Sequence, residues 1–364
     1  MFSKLLLNWY AAHKRSFPWR DRNYKKIDER IFHTWICEVM SQQTLLNVVL
    51  PKFKKFISEI QNLHDLANCP EEKLRQLWQG LGYYARARNL KKGAQFILQE
   101  LHGVFPTKSE DWLKVSGCGP YTASILCSIC FDEKIACIDG NVIRVVSRLL
   151  GLQEEAWNSL GQKKIREFVQ KNISENSPGD FNQAMMDLGA TVCKKQNPNC
   201  TQCPLREKCF AFQNHCVELC PSVKPRQKSV NENIYALIFE KQGYYLLMER
   251  SKGFLAKTFG FPILCENLGV QQEHIFEKLN QCQLDFKYIR NGIKHSITKY
   301  KIQGHVIQIF LTQTNSNWKK LFKEFSLSEK SEFVTLSEMG DRISSSLDKK
   351  IMTVFLESEG FRES

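Results

Sequence analysis

Over the first two hundred residues the apolar positions recur at helical spacing, and beyond residue 230 they alternate. Phe2, Leu5, Leu6, Trp9, Tyr10 and Ala12 share one face of a helix predicted over 2–14, which should stop near Ser16 because Pro18 follows. The charged stretch DRNYKKIDER reads as a solvated loop, and a second helix is predicted from about Ile31. LLNVVLPKFKKFISEI forms one amphipathic element, and the helical pattern opening at Pro70 is broken at Gly80-Leu81-Gly82-Tyr83-Tyr84. Helices at 109–115 and 120–131 bracket the turn Gly117-Cys118-Gly119, a helix–hairpin–helix, and 152–192 is again helical. No convincing alternating strand precedes residue 230, which makes residues 1–212 an all-α region. The stretch 213–230 carries Pro221 and Pro225 with no periodicity and reads as a linker. In 231–364 the language is β: IYALIFEKQGYYLLMER gives two strands around Gln242-Gly243, and HVIQIFLTQ another. Helices near 271–280 and 336–358 complete an α+β domain, so the fold class is multidomain.

Composition narrows the partners. At 364 residues the chain suits two domains, and 51 Lys+Arg against 38 Asp+Glu give a net charge of +13, which favours a polyanion. No apolar span suggests a membrane role, and the N-terminus resembles neither a secretory leader nor a transit peptide. Fourteen cysteines without a leader point to a reducing, cytoplasmic compartment. A monomer is expected.

Three stretches carry candidate chemistry. The Gly117-Cys118-Gly119 turn followed by Pro120-Tyr121-Thr122 offers unpaired N–H groups that suit a phosphate, and Asp139 ends an apolar run nearby. The same residues also fit a plain helical hairpin with a capping Asp. Glu38 sits among Trp35, Ile36, Val39 and Met40, where burial would raise its pKa and suit it to general-acid work, although a surface glutamate fits the spacing too. Tyr83 and Tyr84 followed by Arg86, Arg88, Lys91 and Lys92 suit stacking on bases while holding phosphates, or a core tyrosine beside a solvated basic face. Cys193, Cys200, Cys203 and Cys209 are spaced C-x6-C-x2-C-x5-C. Zinc favours two CxxC pairs, and the wide first gap suits a 4Fe-4S iron–sulfur cluster better. Cys37, Cys127, Cys130 and Cys137 read as core.

Taken in order, these motifs resemble the adenine DNA glycosylases of the MutY type, in the helix–hairpin–helix superfamily that includes endonuclease III. The resemblance is dense over 1–215 and thin over 231–364, which is similar to the family's Nudix-like C-terminal domain. It implies a monofunctional glycosylase of base excision repair, removing adenine mispaired with 8-oxoguanine or guanine in double-stranded DNA. By that resemblance Glu38 is the catalytic acid, Asp139 stabilises charge at the anomeric carbon, and Asn141 supports the pair. Tyr121 stands where bifunctional relatives carry a lysine, and a phenol with a pKa of about 10 forms no Schiff base. Gln43 and Tyr83 match residues that fill and wedge the duplex, and Arg20 a pocket residue near the adenine. Gly117 and Gly119 would clamp phosphate, and the four cysteines would shape a DNA-binding loop.

Three departures stand out. The hairpin reads Ser-Gly-Cys-Gly where the family has Pro-Gly-Val-Gly, and the segment from Arg20 to Glu38 is longer. The triplet that reads 8-oxoguanine, Phe-Ser-His in the family, is Ile297-Thr298-Lys299 here, so Thr298 and Lys299 would supply its hydroxyl and donor. The glutamate-rich Nudix box is missing, which predicts no pyrophosphatase activity. An endonuclease III-like enzyme for damaged pyrimidines, or a non-catalytic iron–sulfur lesion sensor, are the alternative readings.

Overall fold

A computed structural model describes every residue except 1, 21–25, 224–228, 251–254, 257, 298, 313–316, 329, 344 and 361–364. The chain divides into two compact units, Met1–Pro225 and Arg226–Ser364. Among the described residues no helix is long and apolar enough to cross a membrane.

The first unit contains helices and turns only, among its described residues. In order these are α1 (Phe2–His13), α2 (Ile27–Ser41), α3 (Leu46–Glu59), α4 (Leu63–Asn68), α5 (Glu71–Trp78) and α6 (Ala85–Glu100). They continue as α7 (Ser109–Trp112), α8 (Pro120–Phe131), α9 (Gly140–Leu150), α10 (Ser159–Asn172), α11 (Pro178–Thr191) and α12 (Phe210–Gln213). Helix α8 is the axis of the unit. Every residue from Thr122 to Cys130 is buried, because neighbouring helices cover it on all sides. Its polar positions are therefore paired internally: Ser124 donates to the Pro120 carbonyl at 2.7 Å, and Asn182 donates to Ser128 Oγ at 2.8 Å. Trp35, Phe53, Phe56, Trp78 and Trp112 fill the core around it.

Two boundaries differ from the periodicity. Helix α2 starts at Ile27 rather than near Ile31, with Asp28 and Glu29 in its first turn, where carboxylates oppose the positive end of the helix dipole. The first half of the 213–230 stretch packs onto the helical unit. Cys220 is buried, and the buried Arg148 donates to the Val217 and Cys220 carbonyls at 3.2 and 3.0 Å. Absence of periodicity marked the stretch as irregular, which is a different property from being unattached.

The second unit is built on a mixed sheet. Its strands are β1 (Val230–Lys241), β2 (Tyr244–Glu249), β3 (Phe259–Gly260), β4 (Ile263–Cys265), β5 (Asp285–Ile297), β6 (Tyr300–Phe310) and β7 (Ser331–Thr335). The order is β3-β2-β1-β6-β5, with β4 on β1 and β7 on β2; β1 and β6 run parallel and the other pairs antiparallel. Gln242 and Gly243 both adopt positive φ (52° and 80°), which closes the β1–β2 hairpin. Strand β1 is buried on both faces. Ile234, Ala236 and Ile238 join a core that includes residues of α15 (Leu336–Arg342) and α16 (Ser346–Ser358). Tyr235, Leu237 and Phe239 join another with α13 (Gln272–Gln281) and α14 (Trp318–Glu324). The single predicted helix over 336–358 is thus two.

Candidate active site

Four ionisable groups from four segments converge in the helical unit. Glu38 projects from the last turns of α2, a helix whose other late residues, Ile36, Cys37, Val39 and Met40, are buried. Burial raises its carboxyl from an ordinary 4.5 to about 7; the Arg20 charge and a hydrogen bond with Tyr121 pull it down, and the Asp139 charge pushes it up. Tyr121 comes from the first turn of α8. Burial, then the Glu38 and Asp139 charges, push its phenol well above the usual range, so it stays a neutral hydrogen-bonding group. The phenol oxygen also lies 3.6 Å from Met186 Sδ.

Asp139 is the N-cap of α9. Its Oδ1 accepts from the Val142 amide at 2.7 Å and its Oδ2 from Asn141 Nδ2 at 2.8 Å, so both oxygens are oriented. The capping and the chemical readings of this residue are therefore compatible. Asn141 is held in turn by Arg144, which donates to Asn141 Oδ1 (2.9 Å) and to the Gly189 and Cys193 carbonyls (2.7 and 2.8 Å). One guanidinium thus ties the Asp139 cap to the first cysteine of the four.

Arg20 is less free than its motif suggested. It donates to both oxygens of Asp187, at 2.7 and 3.1 Å, while Arg15 grips the same carboxylate at 2.6 and 2.9 Å. Burial alone would raise the Asp187 carboxyl, but hydrogen bonds and charge from Arg20 and Arg15 outweigh it and hold the pKa below its usual range. Sequence reasoning missed Asp187, which sits fully buried on α11 in FNQAMMDLGATVC. The signal that could have found it is a lone carboxylate amid an apolar helix face. It missed Gly189 also. A Cβ at 189 would lie 2.6 Å from Asn141 Cβ, so only glycine lets α11 approach the start of α9.

The hairpin reads clearly. Gly117 has φ of 84°, and a Cβ there would meet Asn89 Cβ at 3.0 Å. Gly119 faces open space with ordinary φ, and α8 opens without a side-chain cap. Between the two exposed glycines Cys118 is buried, the apolar anchor of the turn. Gln43 and Tyr83 lie on the loops after α2 and α5. Both are exposed, and both hold left-handed backbone (φ 56° and 47°). Arg86, grouped by sequence with a basic face, instead turns inward and hydrogen-bonds the last turn of α2 and both loops.

Cys193, Cys200, Cys203 and Cys209 line one cavity together with Arg148, Val192, Arg206, Phe212 and Val217. Arg148 Nη1 lies 3.3 Å from Cys193 Sγ, a contact suited to a thiolate. Among the described residues no three His, Cys, Asp or Glu side chains close on a point as ligands of a single ion would. Among the described residues no disulfide joins any of the cysteines, and Cys37, Cys127, Cys130 and Cys137 are buried. Lys299 belongs to the second unit, at the β5–β6 connection, with its Nζ 5.5 Å from the Tyr300 ring centre. Thr298 lies outside the described residues.

Comparisons with known proteins bear on the family and on the fold of the helical unit. The HhH-GPD superfamily base excision DNA repair protein family matches residues 36–173. Adenine DNA glycosylase of Rattus norvegicus is 40% identical over 215 residues, covering 58% of this chain and 42% of that protein. Adenine DNA glycosylase of Buchnera aphidicola subsp. Baizongia pistaciae is 30% identical over 322 residues, covering 86% of this chain and 87% of that one. The solved structure of a thermostable thymine-DNA glycosylase shares the fold of the helical unit, with a TM-score of 0.53 at 24% identity over 58% of this chain and 95% of its own. The chain spans about two fifths of the length of the mammalian relatives it matches. With a bacterial relative matched along most of both chains, this chain belongs to the adenine DNA glycosylase family.

Proposed function

We propose that the protein hydrolyses the N-glycosidic bond of adenine mispaired with 8-oxoguanine or guanine in double-stranded DNA. The observation that carries this reading is Glu38, a carboxyl raised to about 7 beside Tyr121 and within the field of Asp139. At neutral pH such a group is about half protonated, which is what a general acid for a poor leaving group needs. Glu38 delivers its proton to the extruded adenine as the bond to the anomeric carbon breaks. Asp139, oriented by the Val142 amide and Asn141, faces the positive charge that develops on the sugar. The ionised Glu38 then takes a proton from water as its oxygen adds to that carbon, leaving free adenine and an abasic site. Tyr121 offers no amine, so the strand stays uncut.

Around this centre, Gly117, Gly119 and the open start of α8 would hold backbone phosphate, and Gln43 and Tyr83 would occupy the space the adenine leaves. Cys193, Cys200, Cys203 and Cys209 fit a 4Fe-4S cluster, since four thiols line one cavity and such a cluster is held by four cysteine thiolates. Bound there, the cluster would brace the exposed basic loop 194–199. The mixed sheet of the second unit is consistent with a Nudix-like domain, whose Thr298 and Lys299 would read the base opposite the adenine.

The test is release of adenine from a duplex with one A:8-oxoguanine pair, read as an alkali-labile break. Wild type should give the break only after alkali, and Glu38→Gln should slow it by about 100-fold or more. No break with wild type, or full activity in Glu38→Gln, would overturn the proposal.

A further inference from the structure

Gln43 and Tyr83 are not glycines, yet both adopt left-handed backbone, which costs a residue bearing a Cβ about 1–2 kcal/mol. Such conformations persist where the surroundings over-determine them. Here a single side chain does so. Arg86 Nη1 donates to the Val39 and Met40 carbonyls, at 2.9 and 2.8 Å, and to the Gln42 carbonyl. Its Nη2 donates to the Leu81 and Gly82 carbonyls, at 2.8 and 3.1 Å, and to Thr44 Oγ1 at 3.1 Å.

The placement of these bonds matters more than their number. The Gln42 carbonyl belongs to the peptide plane that sets φ of Gln43, and the Gly82 carbonyl to the plane that sets φ of Tyr83. One planar, rigid group therefore fixes the backbone entering both residues at once, and with it the distance between them. The Val39 and Met40 carbonyls lie in the last turn of α2, where a cation is favoured by the helix dipole. The Trp78 ring and the exposed Tyr83 ring both receive the guanidinium, at 5.6 and 5.7 Å. Thr44 Oγ1 adds a second strut between the loops, 3.3 Å from the Leu81 carbonyl.

We propose that Arg86 is a positioning residue that locks Gln43 and Tyr83 into one preformed wedge, so that base extrusion needs no ordering of either loop. This rests on the reading of those two residues as the ones that fill the duplex. A lysine could not replace it, because one ammonium with three donors cannot span two peptide planes as a fork does.

The experiment uses the full chain and a duplex carrying 2-aminopurine opposite 8-oxoguanine, whose fluorescence rises when the base leaves the stack. Arg86→Lys should bind this duplex within about threefold of wild type, since the charge remains, but lose more than about half of the fluorescence rise. On the adenine duplex its single-turnover excision should fall about 10- to 100-fold. Ile97→Val, a core change in α6, supplies a protein of lowered thermal stability with intact loops and should keep both signals. Thr44→Val removes only the second strut and should lower the fluorescence rise less than Arg86→Lys does. The proposal is overturned if Arg86→Lys extrudes the base as wild type does, or if Ile97→Val loses the rise to the same extent. It is overturned too if Arg86→Lys does not fold and Thr44→Val is indistinguishable from wild type. Wild type that unstacks 2-aminopurine without releasing adenine would remove the glycosylase reading and leave the Arg86 comparison intact.

Discussion

Glu38 and Asp187 show how burial sorts two carboxylates by their partners. Glu38 sits near a single cation that is already engaged elsewhere, so desolvation wins and its pKa rises to about 7. Asp187 takes two guanidinium groups directly, so their charge wins and its pKa falls. The consequences have opposite signs. Because folded Glu38 binds its proton more tightly than it does unfolded, its effect on stability is most favourable below about pH 4.5 and is lost as pH rises to about 7. Glu38→Gln should therefore raise thermal stability above pH 7, by about 1–3 kcal/mol, and have little effect near pH 4. Calorimetry at the two pH values checks this. Single-turnover excision by wild type should decline above about pH 7 as the acid form is lost, and a flat profile there would contradict the assignment of Glu38. For Asp187 the stabilisation is present at neutral pH and lost on acidification. Asp187→Ala strands Arg15 and Arg20 with side chains 30% and 15% exposed, and should cost about 3–5 kcal/mol in a denaturant titration at pH 7.

At the scale of elements, the site depends on how closely two helices approach. Helix α11 brings Asp187 and Met186 toward the site and passes the start of α9 so closely that residue 189 has no room for a side chain. Gly189→Ala should push Asn141 and the Asp139 cap aside. A loss of excision rate of about 100-fold is expected with duplex binding largely kept, measured by single-turnover kinetics beside an equilibrium binding curve. The hairpin behaves differently. Gly117→Ala forces positive φ on a residue with a Cβ and crowds Asn89, costing about 1–2 kcal/mol and weakening DNA binding. Gly119→Ala has neither strain nor clash inside the protein, so any loss of binding it causes measures how near the DNA backbone comes.

On the scale of the whole molecule, each unit has its own core, one helical and one wrapped around a sheet buried on both faces. Scanning calorimetry of the full chain should resolve two transitions, because separate cores need not melt together. The cluster assignment belongs to this scale too, since residues far apart in sequence surround the four thiols: Arg148 from α9, Val192 after α11 and Val217 before Cys220. Purified protein should be brown and absorb near 400 nm (about the region where iron–sulfur clusters absorb). Removing the iron should lower the melting temperature of the transition due to the helical unit alone. A colourless protein carrying zinc would contradict the assignment.

Local patterns were enough to separate the helical unit from the β-rich one and to place the Gly117–Gly119 turn between two helices; they offered Glu38 and Asp139 as candidates, while the role of Tyr121 came from the family resemblance. The local readings rest on short-range physics: period, glycine at a turn, a carboxylate in an apolar run. The spacing of the four cysteines likewise made them candidates for one site, though not their common cavity. Tertiary structure decided what those side chains face. That Glu38 lies within reach of Tyr121 and Asp139 depends on α2, α8 and α9 meeting, and the rise of its pKa depends on that burial. Arg86 and Arg20 looked like solvent- or ligand-facing cations because sequence shows charge but not direction, and both are turned into the protein by acceptors 40 or more residues away. Their partners, a helix end and a buried aspartate, exist only once the chain has folded.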